Sequence, residues 1–472
     1  MRNKLIYKYI GKVLIGYSIL IIIPFIVGLF FKELAFSFLL TGVITFLAGF
    51  LLSNIKTNNS HLYARDGFKI VTISWIIISL IGSIPIFTDT NVTIIDSIFE
   101  AVSGFTTTGA SIFKDVEHLP KSILFWRDFM HFIGGMGVLA FVMAIIPLAK
   151  NDKSMYLLKA EMPGPTVSKL APSLKRTLYY LYGIYFALTI SEFIILLISG
   201  MSIFDSLLIS MGTAGTGGFS PLNTSLATYT EFSKIIVTIF MFLFGINFNL
   251  YFLLLIKDFK SIIKSEELRV YVGLYLFTVF LLFINSLSLF ANVEETLLNS
   301  FFNTSSFISS TGYSIGNVNI YPTICRVWIL FIMVVSACAG STCGGFKISR
   351  LILIFKVIKR DILKIVHPNS VKIITFEGKK VEEETLNNTK SFMFLYIILI
   401  LLILFIVSID GFSFETSLNA VFTTFGNVGL YFEIPDFALF SDLSKIVMCL
   451  GMLLGRLEIY PIIALIISRK NN

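Results

Sequence analysis

The sequence predicts an all-α polytopic membrane protein. About ten transmembrane helices are expected, as four parallel span–half-helix–loop–span repeats around a central pore, plus two extra N-terminal helices. Three observations predict this. The 472 residues are 56% hydrophobic and 14% charged, with mean hydropathy +0.85, whereas a soluble protein carries about 25% charged residues. Ten apolar stretches approach the roughly 20 residues that span a bilayer. Four shorter amphipathic pieces each run into a tract of Thr, Ser and Gly.

The elements follow in order. Arg2, Lys4, Lys8 and Lys12 precede an apolar run over 13–31. That run is long for a secretory signal and no small-residue cleavage site follows, so it reads as a retained first helix. A second span covers 35–54. From residue 66 onward one unit of about 100 residues recurs four times. Spans 68–88 and 123–148 flank a half-helix at 95–107, and spans 177–200 and 233–256 flank one at 204–215. Spans 270–291 and 326–358 flank 296–310, and spans 391–409 and 444–468 flank 414–425. Pieces of about 12 residues are too short to cross and fit re-entrant half-helices. The chain therefore divides into a two-helix extension (1–65) and repeats at 66–150, 151–258, 259–360 and 361–472.

Loop charge sets the expected orientation. Basic residues crowd the segments after the second span (Lys56, Arg65, Lys69), at 149–176 (Lys150, Lys153, Lys159, Lys169, Lys175, Arg176, against Asp152 and Glu161) and at 257–269 (Lys257, Lys260, Lys264, Arg269). The 347–390 segment is basic too, with Lys347, Arg350, Lys356, Lys359, Arg360, Lys364, Lys379 and Lys380, and reads as a solvated surface. The positive-inside rule places all of these in the cytoplasm, together with both termini. The neighbourhoods of the first and last tracts lean acidic (Asp89, Asp96, Glu100, Asp115, Glu117; Asp410, Glu415, Glu433, Asp436, Asp442). Every half-helix then enters from the outer side, which makes the repeats parallel and leaves a hole on their common axis. The net charge of +8 reports these loops and not a nucleic-acid partner.

The tracts are Phe105-Thr106-Thr107-Thr108-Gly109, Gly212-Thr213-Ala214-Gly215-Thr216-Gly217-Gly218, Ile308-Ser309-Ser310-Thr311-Gly312 and Val421-Phe422-Thr423-Thr424-Phe425-Gly426-Asn427. A dehydrated cation needs a shell of oxygens, and backbone carbonyls supply it without trapping charge. Non-helical backbone is tolerated at membrane depth only beside a cavity or buried in protein. Glycine lets the chain adopt the required dihedrals without a Cβ clash. The C-terminal end of each half-helix favours a cation. Gly, Ser and Thr also serve close helix packing in membranes, but four tracts at equivalent places suit a single pore better.

A second irregularity interrupts the 326–358 span, where nine small residues follow one another: Ala337, Cys338, Ala339, Gly340, Ser341, Thr342, Cys343, Gly344 and Gly345. Its three glycines weaken a helix by about 1 kcal/mol each relative to alanine. The run serves either close packing or a flexible segment below the tracts, with Lys347 at its cytoplasmic end. Arg456 lies inside the last apolar span, where a charge costs about 2.5–3.5 kcal/mol. It reads as an electrostatic barrier or latch, or as half of a buried ion pair; Glu458, two residues on, sits on another helix face. Cys325, Cys338, Cys343 and Cys449 have neither zinc nor redox spacing and read as core residues. His61, His118, His131 and His367 are scattered, with His131 on a helix face, and no catalytic set assembles, so the chain is not read as an enzyme.

Taken in order, these features resemble the Trk/Ktr/HKT superfamily of bacterial potassium-uptake subunits, and within it the TrkH branch, which the two extra N-terminal spans favour. The resemblance covers the whole chain. It includes His131-Phe132-Ile133-Gly134-Gly135-Met136-Gly137 after the first tract, Phe244-Gly245-Ile246-Asn247-Phe248 in the second repeat, the 337–347 segment and Gly455-Arg456-Leu457-Glu458. It implies uptake of K+ across the bacterial inner membrane through a filter made of Thr107, Thr108, Gly109, Gly215, Thr216, Gly217, Ser310, Thr311, Gly312, Thr424, Phe425 and Gly426. Gly109, Gly217, Gly312 and Gly426 are its expected glycines, and glycine in the first loop goes with potassium. The 337–345 run, Lys347 and Arg456 would form the gate. The resemblance also implies a homodimer and a cytosolic nucleotide-binding partner of the TrkA type. This chain has no GxGxxG after a strand, so any nucleotide belongs to that partner. No cofactor is expected beyond K+ as cargo. Coupling to protons or sodium, or conduction of sodium, remain the alternatives.

Overall fold

The computed structural model describes residues 2–57, 64–145, 174–369, 372–432, 436–457, 459–460 and 462. His61, Lys150, Asp152, Lys153, Lys159, Glu161, Lys169, Glu433 and Glu458 lie outside the described residues. Two long helices open the chain, α1 (Arg2–Phe30) and α2 (Phe36–Ser53). They cross where Gly11 meets Gly49, since a Cβ on either would strike the other helix's backbone. Next come α3 (Ala64–Asp89), α4 (Ile94–Phe105) and α5 (Lys121–Ile145). They are followed by α6 (Leu174–Ile198), α7 (Ile203–Gly215), α8 (Glu231–Phe244) and α9 (Phe248–Leu255). After a short α10 (Phe259–Lys264) come α11 (Glu266–Ser286), α12 (Val293–Ile308), α13 (Thr323–Val335) and α14 (Ile348–Val366). A two-residue hairpin pairs β1 (Thr375–Phe376) with β2 (Lys379–Lys380). The last repeat is α15 (Glu383–Val407), α16 (Phe414–Phe425) and α17 (Asp442–Leu457).

Six of the described helices (α1, α2, α3, α6, α11, α15) are long and apolar enough to cross a membrane, or seven if α8 and α9 count as one span. Of the other three expected spans, α5 is continuous over Lys121–Ile145, α13 and α14 are separated by residues 336–347, and α17 is described from Asp442 to Leu457. The 233–256 span is also not straight as expected. It bends by 93° between α8 and α9, at Gly245–Asn247, where Asn247 caps the new helix by accepting from the Asn249 N–H at 3.0 Å.

Three of the four half-helices start where the sequence supplies a side-chain cap, and α12 starts after Asn292 without one. Thr93 accepts from the Asp96 N–H (3.1 Å), Ser202 from Asp205 (3.0 Å) and Ser413 from Thr416 (3.1 Å). Each of the three carries an acidic residue in its first turn, at the positive end of its dipole. Each half-helix packs on the helix that follows the tract of the preceding repeat: α7 on α5, α12 on α8, α16 on α13 and α4 on α17. The last pairing joins the first repeat to the fourth, so the helices close into a ring. The N-terminal pair lies outside this ring. Glu33, just after α1, caps α5 by accepting from the N–H groups of Lys121 (2.6 Å) and Ser122 (2.9 Å).

The expected solvated surface over 347–390 is only partly one. Lys359, Lys364, Lys379 and Lys380 are exposed, but Lys347, Arg350 and Arg360 are buried. Arg350 lies 4.0 Å over the Phe392 ring and Arg360 pairs with Glu383. The α14 helix lies against α15, and long basic side chains bury their stems there while reaching partners. Two of the acidic residues assigned to loops are likewise internal. Glu100 is fully buried in α4, and Asp96 meets the Lys445 ammonium at 2.6 Å.

Candidate permeation site: four loops and a broken helix

The four tracts fold alike. At the end of each half-helix one non-glycine residue takes the left-handed conformation: Thr107 (φ +55°), Thr216 (+54°), Ser310 (+51°) and Asn427 (+54°). The N–H one residue later reaches back to a carbonyl five residues earlier: Thr108 to Ser103, Gly217 to Gly212, Thr311 to Ser306 and Val428 to Thr423, at 2.8–2.9 Å. This is the helix-terminating Schellman geometry. One residue further on, Gly109, Gly218, Gly312 and Gly429 also have positive φ (+79°, +76°, +87°, +76°).

Those four glycines interlock in a cycle. A Cβ on Gly109 would fall on the Gly217 carbonyl oxygen, one on Gly218 on that of Thr311, one on Gly312 on that of Val428, and one on Gly429 on that of Thr108. The backbone of each loop thus touches the next, and the fourth returns to the first. Glycine is required twice at each place, by the dihedral and by the approach.

In two of the four loops the glycine in this cycle is not the one singled out from sequence: Gly218 and Gly429 occupy the interlocking positions, and Gly217 and Gly426 do not. Gly217 lies one residue too early and faces the His131 ring. Gly426 is the C-cap of α16 with φ −76°. Thr424 and Phe425 are still helical; Thr424 Oγ1 donates to the Ala420 carbonyl, and the buried Phe425 ring meets Tyr396 edge-on at 4.6 Å. Gly215 ends α7. Thr107, Thr108, Gly109, Thr216, Ser310, Thr311 and Gly312 lie in the four interlocked loops. The pattern polar–any–glycine occurs at 107–109, 216–218, 310–312 and 427–429, but Thr213-Ala214-Gly215 and Thr424-Phe425-Gly426 match it equally, so the pattern does not fix the register.

A buried ion pair braces the first two loops. Glu100 accepts from Arg127 Nε in α5 at 2.7 Å, and from the Ile112 N–H at 2.9 Å and Ser111 Oγ at 3.0 Å, the last two just beyond Gly109. Arg127 also lies 4.1 Å over the Phe219 ring, which stacks on His131 at 4.2 Å in the second loop. His131 is therefore a helix residue, as expected, but one pressed against the loops. Further out, Asn223 and His118 both hydrogen-bond Asp115, at 2.9 and 2.6 Å, and hold its carboxyl below the usual range.

The nine-residue run departs from helix as expected. The chain leaves α13 at Ser336 (φ +58°) and re-enters α14 at Ile348, with Gly340, Gly345 and Lys347 also at positive φ. Its ends are stitched together, Phe346 N–H to Val334 O (3.0 Å) and Lys347 N–H to Val335 O (2.9 Å). Its middle fills the break between α8 and α9. Cys338 N–H donates to Gly245 O (3.2 Å), and Phe248 N–H donates to Gly340 O (3.0 Å). Each irregular segment thus satisfies the orphan groups of the other. Ala337, Cys338, Ala339, Thr342 and Cys343 are buried. The loop also touches the ring, since the Gly344 N–H donates to Ser310 Oγ at 3.3 Å. Ser341 Oγ donates to Cys338 O within the loop at 2.6 Å.

Arg456 is buried and holds this loop. Its guanidinium donates to the Thr342 carbonyl, and to Gly134 O in α5 at 2.8 Å. Its described partners are backbone carbonyls and not a carboxylate. Lys347 Nζ donates to Cys343 O inside the loop. Three site residues were not anticipated: Asn427, Glu267 and Arg127. The last two are charged residues in or at the end of apolar stretches, and that was the available signal.

A ring of four equivalent re-entrant loops inside a bundle of apolar helices defines a class: membrane proteins built to pass ions. The TrkH family profile, described as a cation transport protein, matches residues 34–471, so the chain belongs to the TrkH family of cation transport proteins. It is 33% identical to the Trk system potassium uptake protein TrkG of Escherichia coli K12, over 95% of this chain and 94% of that one. It is 31% identical to the Trk system potassium uptake protein TrkH of Salmonella typhimurium, over 98% of both. The crystal structure of the potassium transporter TrkH from Vibrio parahaemolyticus superposes with a TM-score of 0.89, at 26% identity over 98% of both chains.

Proposed function

We propose that this chain takes up potassium across the bacterial cell membrane through the ring of four loops. The closed cycle of Gly109, Gly218, Gly312 and Gly429 carries the reading. It lines up four stretches of non-helical backbone at one level, where carbonyl oxygens replace a cation's hydration shell. Relatives named as potassium uptake proteins support K+ as the cargo. The filter then consists of residues 107–109, 216–218, 310–312 and 427–429. The 337–345 segment is the gate, held closed by Arg456 and by its bonds to the α8–α9 break. A cytosolic nucleotide-binding partner of the TrkA type acts on the basic inner face, and the working form is a homodimer.

The test is ion flux in liposomes that contain the purified chain alone. Passive flux that prefers K+ over Na+ is expected. Uphill K+ movement driven by a proton or sodium gradient would replace the pore by a coupled symporter, and equal passage of Na+ would remove the potassium filter.

A further inference from the structure

The fourth loop departs from the other three at one place. Where they put a hydroxyl residue in the left-handed conformation, it puts Asn427. The side chain is fully buried. Its Nδ2 donates to Thr108 Oγ1 in the first loop at 2.8 Å and to the Met452 carbonyl in α17 at 3.0 Å. Its Oδ1 has no hydrogen-bond partner among the described residues. That oxygen faces two glycines, Gly344 of the 337–345 segment and Gly455 of α17, and a Cβ on either would come within 2.6 Å of it. One side chain thus touches the first loop, the last helix and the interrupting segment.

The location has a physical consequence. The first and fourth loops meet across 319 residues of chain, so no local connection sets their spacing. Their backbones already touch where Gly429 meets the Thr108 carbonyl. The amide adds a directional bond to the side chain of that same Thr108. Thr108 Oγ1 in turn lies 2.8 Å from Thr106 Oγ1, so the amide bond extends into the first loop's own hydroxyl chain. On its other side Gly344 sits between Asn427 and Ser310, to whose Oγ it donates. Only glycine at 344 lets the segment come so close.

We propose that Asn427 is a specificity-determining positioning residue. It sets the spacing of loops one and four, and it transmits the position of the 337–345 segment to that junction. This rests on the pore reading. A filter that discriminates by the number and placement of its oxygens responds to such spacing.

The test uses the full chain in liposomes, with K+ and Na+ flux measured side by side. Asn427→Ser keeps a small polar residue of the kind the third loop carries in the same backbone conformation, but cannot span to Thr108 and Met452. Its K+ over Na+ preference should fall about five- to tenfold, the net worth of one hydrogen bond, while K+ still passes. Thr108→Val removes the same bond from the other side, and the double variant should lose no more than the larger single loss. Additive losses, or an unchanged preference in both single variants, overturn the proposal. If Asn427→Ser does not yield folded protein, Thr108→Val and Gly344→Ala carry the test, the latter pushing on the Asn427 amide from the gate side. An unchanged preference in both again overturns it. Wild-type flux that is absent or unselective would instead count against the pore reading itself.

Discussion

Glu267 holds Ala339 across 72 residues of chain: its Oε1 accepts the Ala339 N–H at 2.7 Å. The carboxylate stands at the start of α11 and also accepts from Asn247 at 3.3 Å. It therefore joins the interrupted third-repeat helix to the bend in the second. The same helix start is capped from the hairpin, where Glu377 accepts from Ser265 Oγ (2.9 Å) and the Glu267 N–H (3.0 Å). Glu267→Ala should release the segment and raise basal K+ flux of the chain alone. A hydrogen bond has a net worth of about 0.5–1.5 kcal/mol, so the loss of these two should raise the open fraction roughly tenfold while ion preference stays unchanged. A liposome flux assay reads both, and a shift in ion preference with no rise in flux would contradict this role.

The register of the ring can be read by paired glycine substitutions. Gly429→Ala and Gly218→Ala place a Cβ on a neighbouring loop's carbonyl at a positive φ, and should abolish K+-selective flux. Gly426→Ala has an ordinary φ and meets the Met333 and Phe422 carbonyls at 2.8 Å. It should lower stability yet retain preference for K+. Gly109→Ser meets the same two constraints, the positive φ and the neighbouring carbonyl, and should likewise remove the preference for K+ over Na+.

Arg456 is bonded to the 337–345 segment at Thr342 and to α5 at Gly134. Arg456→Ala should raise basal flux by loosening the segment, and deletion of part of 337–345 should do the same. Combining the two should add little, since both act on one closure. Flux that remains low in both variants, with folded protein in hand, would place the gate elsewhere.

The Glu100–Arg127 pair should matter for stability more than for conduction. Removing one partner of a buried ion pair costs about 3–5 kcal/mol because the other charge is stranded. Glu100→Gln should therefore lower the melting temperature of the detergent-solubilised protein markedly. Replacing both residues by neutral ones of similar size should cost less than either single change. Thermal unfolding followed by tryptophan fluorescence gives the comparison.

Much of this organisation was legible in the chain because it is local. A run of apolar residues specifies a span by length and polarity, and Thr93, Ser202 and Ser413 announce the half-helix starts by their own side chains. The small-residue run at 337–345 announced its break for the same reason. Composition alone misled where two motifs overlapped. In the second tract Gly215, Gly217 and Gly218 all compete for one role, and in the fourth the Thr-Thr-Phe-Gly run imitates the other tracts three residues too early. The bend at Gly245–Asn247 left only a weak mark, since an apolar stretch reads the same whether straight or folded.

By itself the sequence determined the membrane setting, the short helices that run into Thr/Ser/Gly tracts, and the places where helix must fail. These follow from side-chain polarity, capping and glycine content within a few residues. Only the tertiary structure decided which glycines form the ring, which charges are buried, and what holds the 337–345 segment. Each of those depends on groups tens to hundreds of residues away: Gly429 against Thr108, Arg456 on Thr342 and Gly134, Asn427 between loop and gate. A glycine becomes indispensable only when another backbone occupies the space its Cβ would need, and only the assembled ring puts that backbone there.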